Sequence, residues 1–113
     1  MPLIEIVALP QPDGVDIKAV TTALNRGVAD AIPCRLDAVW TTWRTIEGAY
    51  AVGDVVAAEQ QQVTHAPIVH VYLQRTPEET DRAVEAIERV LAAELGLADG
   101  NVFVTVQPVD GRR

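Results

Sequence analysis

The sequence predicts an α+β domain built from two tandem β-α-β units, giving a four-stranded sheet with two helices on one face. Three observations carry this. The opening MPLIEIVAL returns as APIVHVYLQ at residues 66–74, with Pro2 on Pro67 and Leu3-Ile4-Glu5-Ile6-Val7 on Ile68-Val69-His70-Val71-Tyr72. At an offset of 63, Val20 falls on Ala83, Leu24 on Ile87, Val28 on Leu91, Ile32 on Leu95 and Val39 on Val102. Asp13 falls on Thr76, which reads as cap on cap, and the loop after the first strand is two residues longer in the first half. Right-handed crossovers place both helices on the same side of the sheet. The chain reads as one domain over residues 1–113, with a pseudo-repeat of 1–46 and 66–109.

The elements follow in order. Residues 2–9 (PLIEIVAL) are a nearly continuous apolar run of strand length, as expected of a strand buried on both faces. Gln11-Pro12-Asp13-Gly14 is turn chemistry. Ile17, Val20, Leu24, Val28 and Ile32 recur at helical spacing until Pro33 stops the pattern. Residues 38–46 (AVWTTWRTI) are rich in β-branched and aromatic residues and read as a second strand. The stretch from Glu47 to Ala66 has room for short strand pieces, and a connection this long in a compact domain is often functional. A third strand follows at 68–74. Thr76-Pro77-Glu78-Glu79 then combines a cap, a proline suited to the first helical position and a capping box. Ala83, Ile87, Leu91 and Leu95 form the apolar face, Gly96 ends the helix, and residues 101–109 (NVFVTVQPV) make a fourth strand.

Composition narrows the function. The net charge is −7, and the basic residues are scattered apart from Arg112-Arg113, which excludes a cationic nucleic-acid footprint. No apolar run approaches the ~18 residues of a membrane span, and the N-terminus lacks the basic-then-apolar order of a signal peptide. A single cysteine, Cys34, offers neither a disulfide framework nor metal-ligand spacing. A cytoplasmic protein without a cysteine-based metal site is the expectation. With 49% apolar residues but 4% aromatic, the core is expected to be flat and close-packed. Helices on one side leave the other sheet face bare, and that face also reads as apolar. Packing of bare faces between subunits is therefore expected.

The order β-α-β-β-α-β, the duplication and the Met-Pro start leading directly into a strand resemble the tautomerase superfamily. That superfamily includes 4-oxalocrotonate tautomerase, 5-carboxymethyl-2-hydroxymuconate isomerase, malonate semialdehyde decarboxylase, cis-3-chloroacrylic acid dehalogenase and macrophage migration inhibitory factor. The resemblance covers essentially the whole chain. PIVHVYLQR is similar to the third-strand region of the isomerase and dehalogenase branches, and NVFVTVQPVD to the last long strand. The length is similar to that of the long members, which carry two β-α-β units and form trimers.

The resemblance implies that Met1 is removed and that Pro2 becomes the catalytic group, a secondary amine. It implies a cofactor-independent tautomerase or isomerase acting on a small carboxylate substrate in a homotrimer. An α-amino group titrates near ~7.7–8.0. Burial and nearby cations disfavour its charged form, leaving a neutral amine able to act as a general base. Pro67 keeps an amide nitrogen and can only begin a strand.

For substrate binding, Arg75 at the end of strand three lies within about one position of substrate-binding arginines in the dehalogenase and decarboxylase branches. Arg44, in strand two, shares a face with Trp40 and Ile46 by alternation. Either guanidinium fork suits a carboxylate. Phe103 aligns with a pocket aromatic of the migration-inhibitory-factor branch and equally suits the core. Asp37 lies near an acid of the decarboxylase branch, yet reads first as a loop carboxylate capping backbone amides. Glu5 and His70 occupy equivalent places and should share one sheet face. The arginines that 4-oxalocrotonate tautomerase keeps at the start of strand two and after strand one are absent here, where Trp40 and LPQPDGVD stand. A dehalogenase or decarboxylase variant, or a ferredoxin-like ligand-binding or interaction module without catalysis, are the alternatives the same order of elements allows.

Overall fold

The computed structural model describes residues 2–58, 66–98 and 101–108; Met1, His65 and Arg112-Arg113 lie outside them. Strand β1 (Leu3–Ala8) leads to helix α1 (Ile17–Ala31), a 3-10 turn (Leu36–Ala38) and strand β2 (Trp40–Thr45). A short hairpin of β3 (Ala51–Val52) and β4 (Val55–Val56) is followed by β5 (Ile68–Tyr72), α2 (Pro77–Leu95) and β6 (Phe103–Gln107). The four long strands form one sheet in the order β2-β1-β5-β6. β1 runs parallel to β2, β5 parallel to β6, and the two inner strands β1 and β5 are antiparallel.

The two helices fold as their sequences direct, with one correction at a cap. Thr76 and Glu79 form the expected capping box, with Pro77 in the first turn, and Gly96 closes α2 at φ +66°, a left-handed conformation that glycine adopts freely. The N-cap of α1 is Asp16, whose carboxylate accepts from the amides of Lys18 and Ala19. Asp13, the expected cap, sits in the preceding turn. The helices pack against each other where Gly27 meets Val90: a Cβ on Gly27 would come within 2.8 Å of Val90 Cγ2. The repeat is visible in the core, where Val20, Leu24 and Val28 of α1 and Ala83, Ile87 and Leu91 of α2 are buried against Ile4, Ile6, Val69 and Val71 of the sheet. No described helix is long and apolar enough to cross a membrane.

β1 is not buried on both faces. Ile4, Ile6 and Ala8 are buried under the helices, whereas Leu3, Glu5 and Val7 are half-exposed on the other side. The strand registers arrange that open face in three rows: Trp40–Leu3–Tyr72–Gln107, Thr42–Glu5–His70–Thr105 and Arg44–Val7–Ile68–Phe103. The open face is therefore not the uniformly apolar surface that the strand sequences suggest. Its outer rows carry the apolar and aromatic side chains, and its middle row is polar from edge to edge. Trp40 and Phe103 remain about half exposed, at 51% and 56%. Phe103 is thus not a core residue.

Candidate active site

Pro2 lies immediately before β1, an inner strand, and its ring is fully buried. Its carbonyl accepts the amide of Trp40 at 3.0 Å, which continues the β1–β2 ladder to its last rung. Because β5 runs antiparallel to β1, the end of β5 lies beside Pro2; because β2 runs parallel, the start of β2 lies there too. Pro2 therefore sits between the segment that leads into β2 and the segment that follows β5.

Each of these flanking segments bears an arginine. Arg75 follows β5, is about a quarter exposed, and pairs at 3.5 Å with Glu79 in the first turn of α2. Glu79 is also the capping-box acid, receiving the amide and hydroxyl of Thr76 on its other oxygen. One carboxylate thus closes the helix start and restrains the guanidinium. On the β2 side stands Arg35, whose Nη2 lies 2.7 Å from Asp37 Oδ2. The carbonyl of Asp37 accepts from the indole Nε1 of Trp40 at 3.2 Å, so the turn is tied to the residue bonded to Pro2. Asp37 therefore pairs with an arginine instead of capping backbone amides. Sequence reasoning did not single out Arg35, since neither helical nor strand periodicity reaches it. Its signal was position, five residues ahead of the strand that pairs with Pro2.

Arg44 and Phe103 do not join this group within one chain. Arg44 pairs with Val7 and Phe103 with Ile68, and both belong to the row at the far end of β1. Five residues of strand at about 3.3 Å each separate that row from Pro2, roughly 16 Å. Two concavities also lie at that end. One, of about 610 Å³, is lined by Val7, Trp43, Arg44, Thr45, Ile46 and Glu47. The other, of about 180 Å³, is lined by Glu5, Ile6, Val7, Thr42 and Arg44. Pro2 lines neither.

The middle row links the two ends. Glu5 and His70 are directly opposed across β1 and β5, on one face as their equivalent places in the repeat require. His70 Nδ1 and Thr105 Oγ1 are 2.6 Å apart. The Tyr72 hydroxyl is raised above its ordinary pKa of 10.0 by its hydrogen bond to Glu5, by the charge of that carboxylate, and by burial. These groups satisfy one another across the sheet and hold the middle of the open face in one arrangement.

No family model matches the chain, and no curated protein matches it by sequence. Solved structures do match. A fused 4-OT wild-type asymmetric trimer superposes with a TM-score of 0.77 at 18% identity, over 95% of this chain and 85% of that one. The structure of Pt0534 inactivated by 2-oxo-3-pentynoate gives 0.75 at 15% identity, over 95% and 85%. A macrophage migration inhibitory factor-like protein from Entamoeba histolytica gives 0.74 at 11% identity, over 99% and 91%. The fold is therefore the one that fused 4-OT and migration inhibitory factor-like proteins share.

Proposed function

We propose that this protein is a cofactor-independent tautomerase or isomerase in which Pro2, after removal of Met1, moves a proton on a small 2-oxo or enol carboxylic acid. The observation that carries the reading is the place of Pro2: the start of an inner strand, with its ring buried and arginine-bearing segments on both sides. Removing Met1 turns the Pro2 nitrogen from an amide into a secondary amine. The positive charges of the flanking arginines and the burial of the ring both favour its neutral form, which takes a proton from carbon or oxygen and returns it to another atom. Arg75 supplies a two-point contact for the substrate carboxylate and polarises the neighbouring oxo group.

The assembly follows from the open face. Half-exposed aromatic and aliphatic side chains in its outer rows favour association, and the long superfamily members, like the fused 4-OT proteins that share the fold, are trimers. We assign the same state to this chain. For Arg44 or Phe103 to serve Pro2, a neighbouring protomer must supply them, since one chain holds their row roughly 16 Å away. Cytoplasmic residence remains the expectation from cysteine usage.

Intact mass of the purified protein should show Met1 absent. Phenylenolpyruvate and 2-hydroxymuconate should ketonise, and Pro2→Ala should remove that turnover. The electrophile 2-oxo-3-pentynoate, which inactivates Pt0534, should add to Pro2. Retention of Met1 in an active preparation, or full turnover by Pro2→Ala, would defeat the Pro2 mechanism, and absence of turnover with Met1 retained would leave a binding module.

A further inference from the structure

We infer that Arg35 is a second carboxylate-binding residue of the Pro2 site, exchanging Asp37 for the carboxylate of the incoming substrate. The inference rests on the reading of Pro2 given above and adds to it a residue outside the superfamily resemblance.

Three features point to Arg35. The first is place. A chain of contacts runs from Pro2 through its carbonyl to the Trp40 amide at 3.0 Å, from the Trp40 indole to the Asp37 carbonyl at 3.2 Å, and from Asp37 Oδ2 to Arg35 Nη2 at 2.7 Å. The turn is further fixed by the Ala38 amide donating to the Arg35 carbonyl at 3.0 Å. The arginine therefore stands on a braced segment at the Pro2 end of the sheet. The second is availability. The side chains of Arg35 and Asp37 are 83% and 69% exposed, and an ion pair in that setting is worth little to the fold. Arg75 differs, being about a quarter exposed and held by a carboxylate that also caps α2. The third is charge. A chain with net charge −7 repels a carboxylate at long range. Arg35 and Arg75, on the segments that flank Pro2 on the β2 and β5 sides, supply cations at that end of the sheet.

Labelling kinetics test this without a known natural substrate. The Pro2 lone pair attacks the alkyne carbon of 2-oxo-3-pentynoate distal to the oxo group. The displaced π electrons pass toward the oxo group, the ammonium proton returns to the adjacent carbon, and nothing leaves. Intact mass therefore rises by one molecule of reagent. In Arg35→Ala the concentration giving half-maximal labelling rate should rise about tenfold or more, as expected for loss of a charge-assisted contact. The limiting rate should change less, and Arg35→Lys should lie between the two. The neutral analogue 3-pentyn-2-one, which keeps the alkynone and lacks the carboxylate, should label wild type and Arg35→Ala at rates within about twofold of each other, as no charge-assisted contact is lost. A half-saturation value in Arg35→Ala within about twofold of wild type overturns the assignment, as does an equal loss toward the neutral ketone, which would mark Arg35 as a brace for the turn. Failure of wild type to label at all removes the Pro2 mechanism itself, and this inference with it.

Discussion

The carbonyl of Pro2 accepts the amide of Trp40 at 3.0 Å, and in the second repeat the carbonyl of Pro67 accepts that of Phe103 at 3.1 Å. Each proline opens an inner strand, each is fully buried, and each ties down the first residue of an outer strand, an exposed aromatic. The chain thus holds two structurally equivalent proline corners at opposite ends of the sheet. Only the first has a nitrogen that processing can free.

That equivalence makes Pro67 an internal control for Pro2. Pro67→Ala should perturb stability while leaving turnover and labelling within a few fold of wild type. Pro2→Ala should leave the fold intact and lower turnover by about 10²–10⁴, the usual contribution of a positioned general base. Steady-state kinetics beside thermal unfolding of the two variants separates the roles. Equal kinetic losses in both would mean that the corner, and not the amine, matters.

The α1 cap shows where the sequence was readable and where it was not. Apolar spacing placed both helices, because burial against one sheet face imposes a 3.6-residue period whatever the loops do. It could not place the α1 cap, since Asp13 and Asp16 both precede the apolar run and the repeat favoured Asp13. At the offset that matches the apolar faces, α1 starts about one turn later than α2, which puts the cap at Asp16. Asp16→Ala should cost about 1 kcal/mol, as for other lost N-caps, whereas Asp13→Ala should be nearly neutral. Denaturant midpoints of the two variants decide it.

Candidate site residues were legible to the extent that they sat on repeat-matched strands. Pro2 is marked by its start position, and Arg75 by the strand it follows. Arg35 stayed hidden because its relevance comes from a parallel pairing between β1 and β2 that no local pattern displays. The polar middle row was legible in part: the repeat puts Glu5 and His70 on one face, whereas Thr42 and Thr105 join them only through the pairing of β1 with β2 and of β5 with β6.

The Tyr72–Glu5 contact predicts an alkaline dependence of stability. The folded-state pKa of Tyr72 lies above its ordinary value of 10.0, chiefly through that hydrogen bond. The stabilisation is therefore fully present below the unfolded-state pKa. It declines as pH rises through the folded-state value, because the unfolded chain releases the proton first. Wild type should lose stability progressively above about pH 10, and Tyr72→Phe should lack that component while being less stable at neutral pH. Urea midpoints across pH 8 to 11 give the comparison; parallel pH profiles for the two proteins would refute it.

The placement of Arg44 leads to a prediction about assembly. Arg44 pairs with Val7, roughly 16 Å along β1 from Pro2, so any role it has at the Pro2 site must be exercised across a subunit boundary. Arg44→Ala and Pro2→Ala should each be impaired alone. When the two are unfolded together and reassembled in equal amounts, activity should return. A random mixture leaves roughly a quarter of sites with Pro2 from one chain and Arg44 from its neighbour both intact, given one cyclic contact per site. Doubling the share of one variant should lower the recovered activity symmetrically with doubling the other. Recovery absent at every ratio, from an oligomer shown by light scattering to exchange its chains, would confine Arg44 to its own protomer and leave Arg75 and Arg35 as the cations of the Pro2 site.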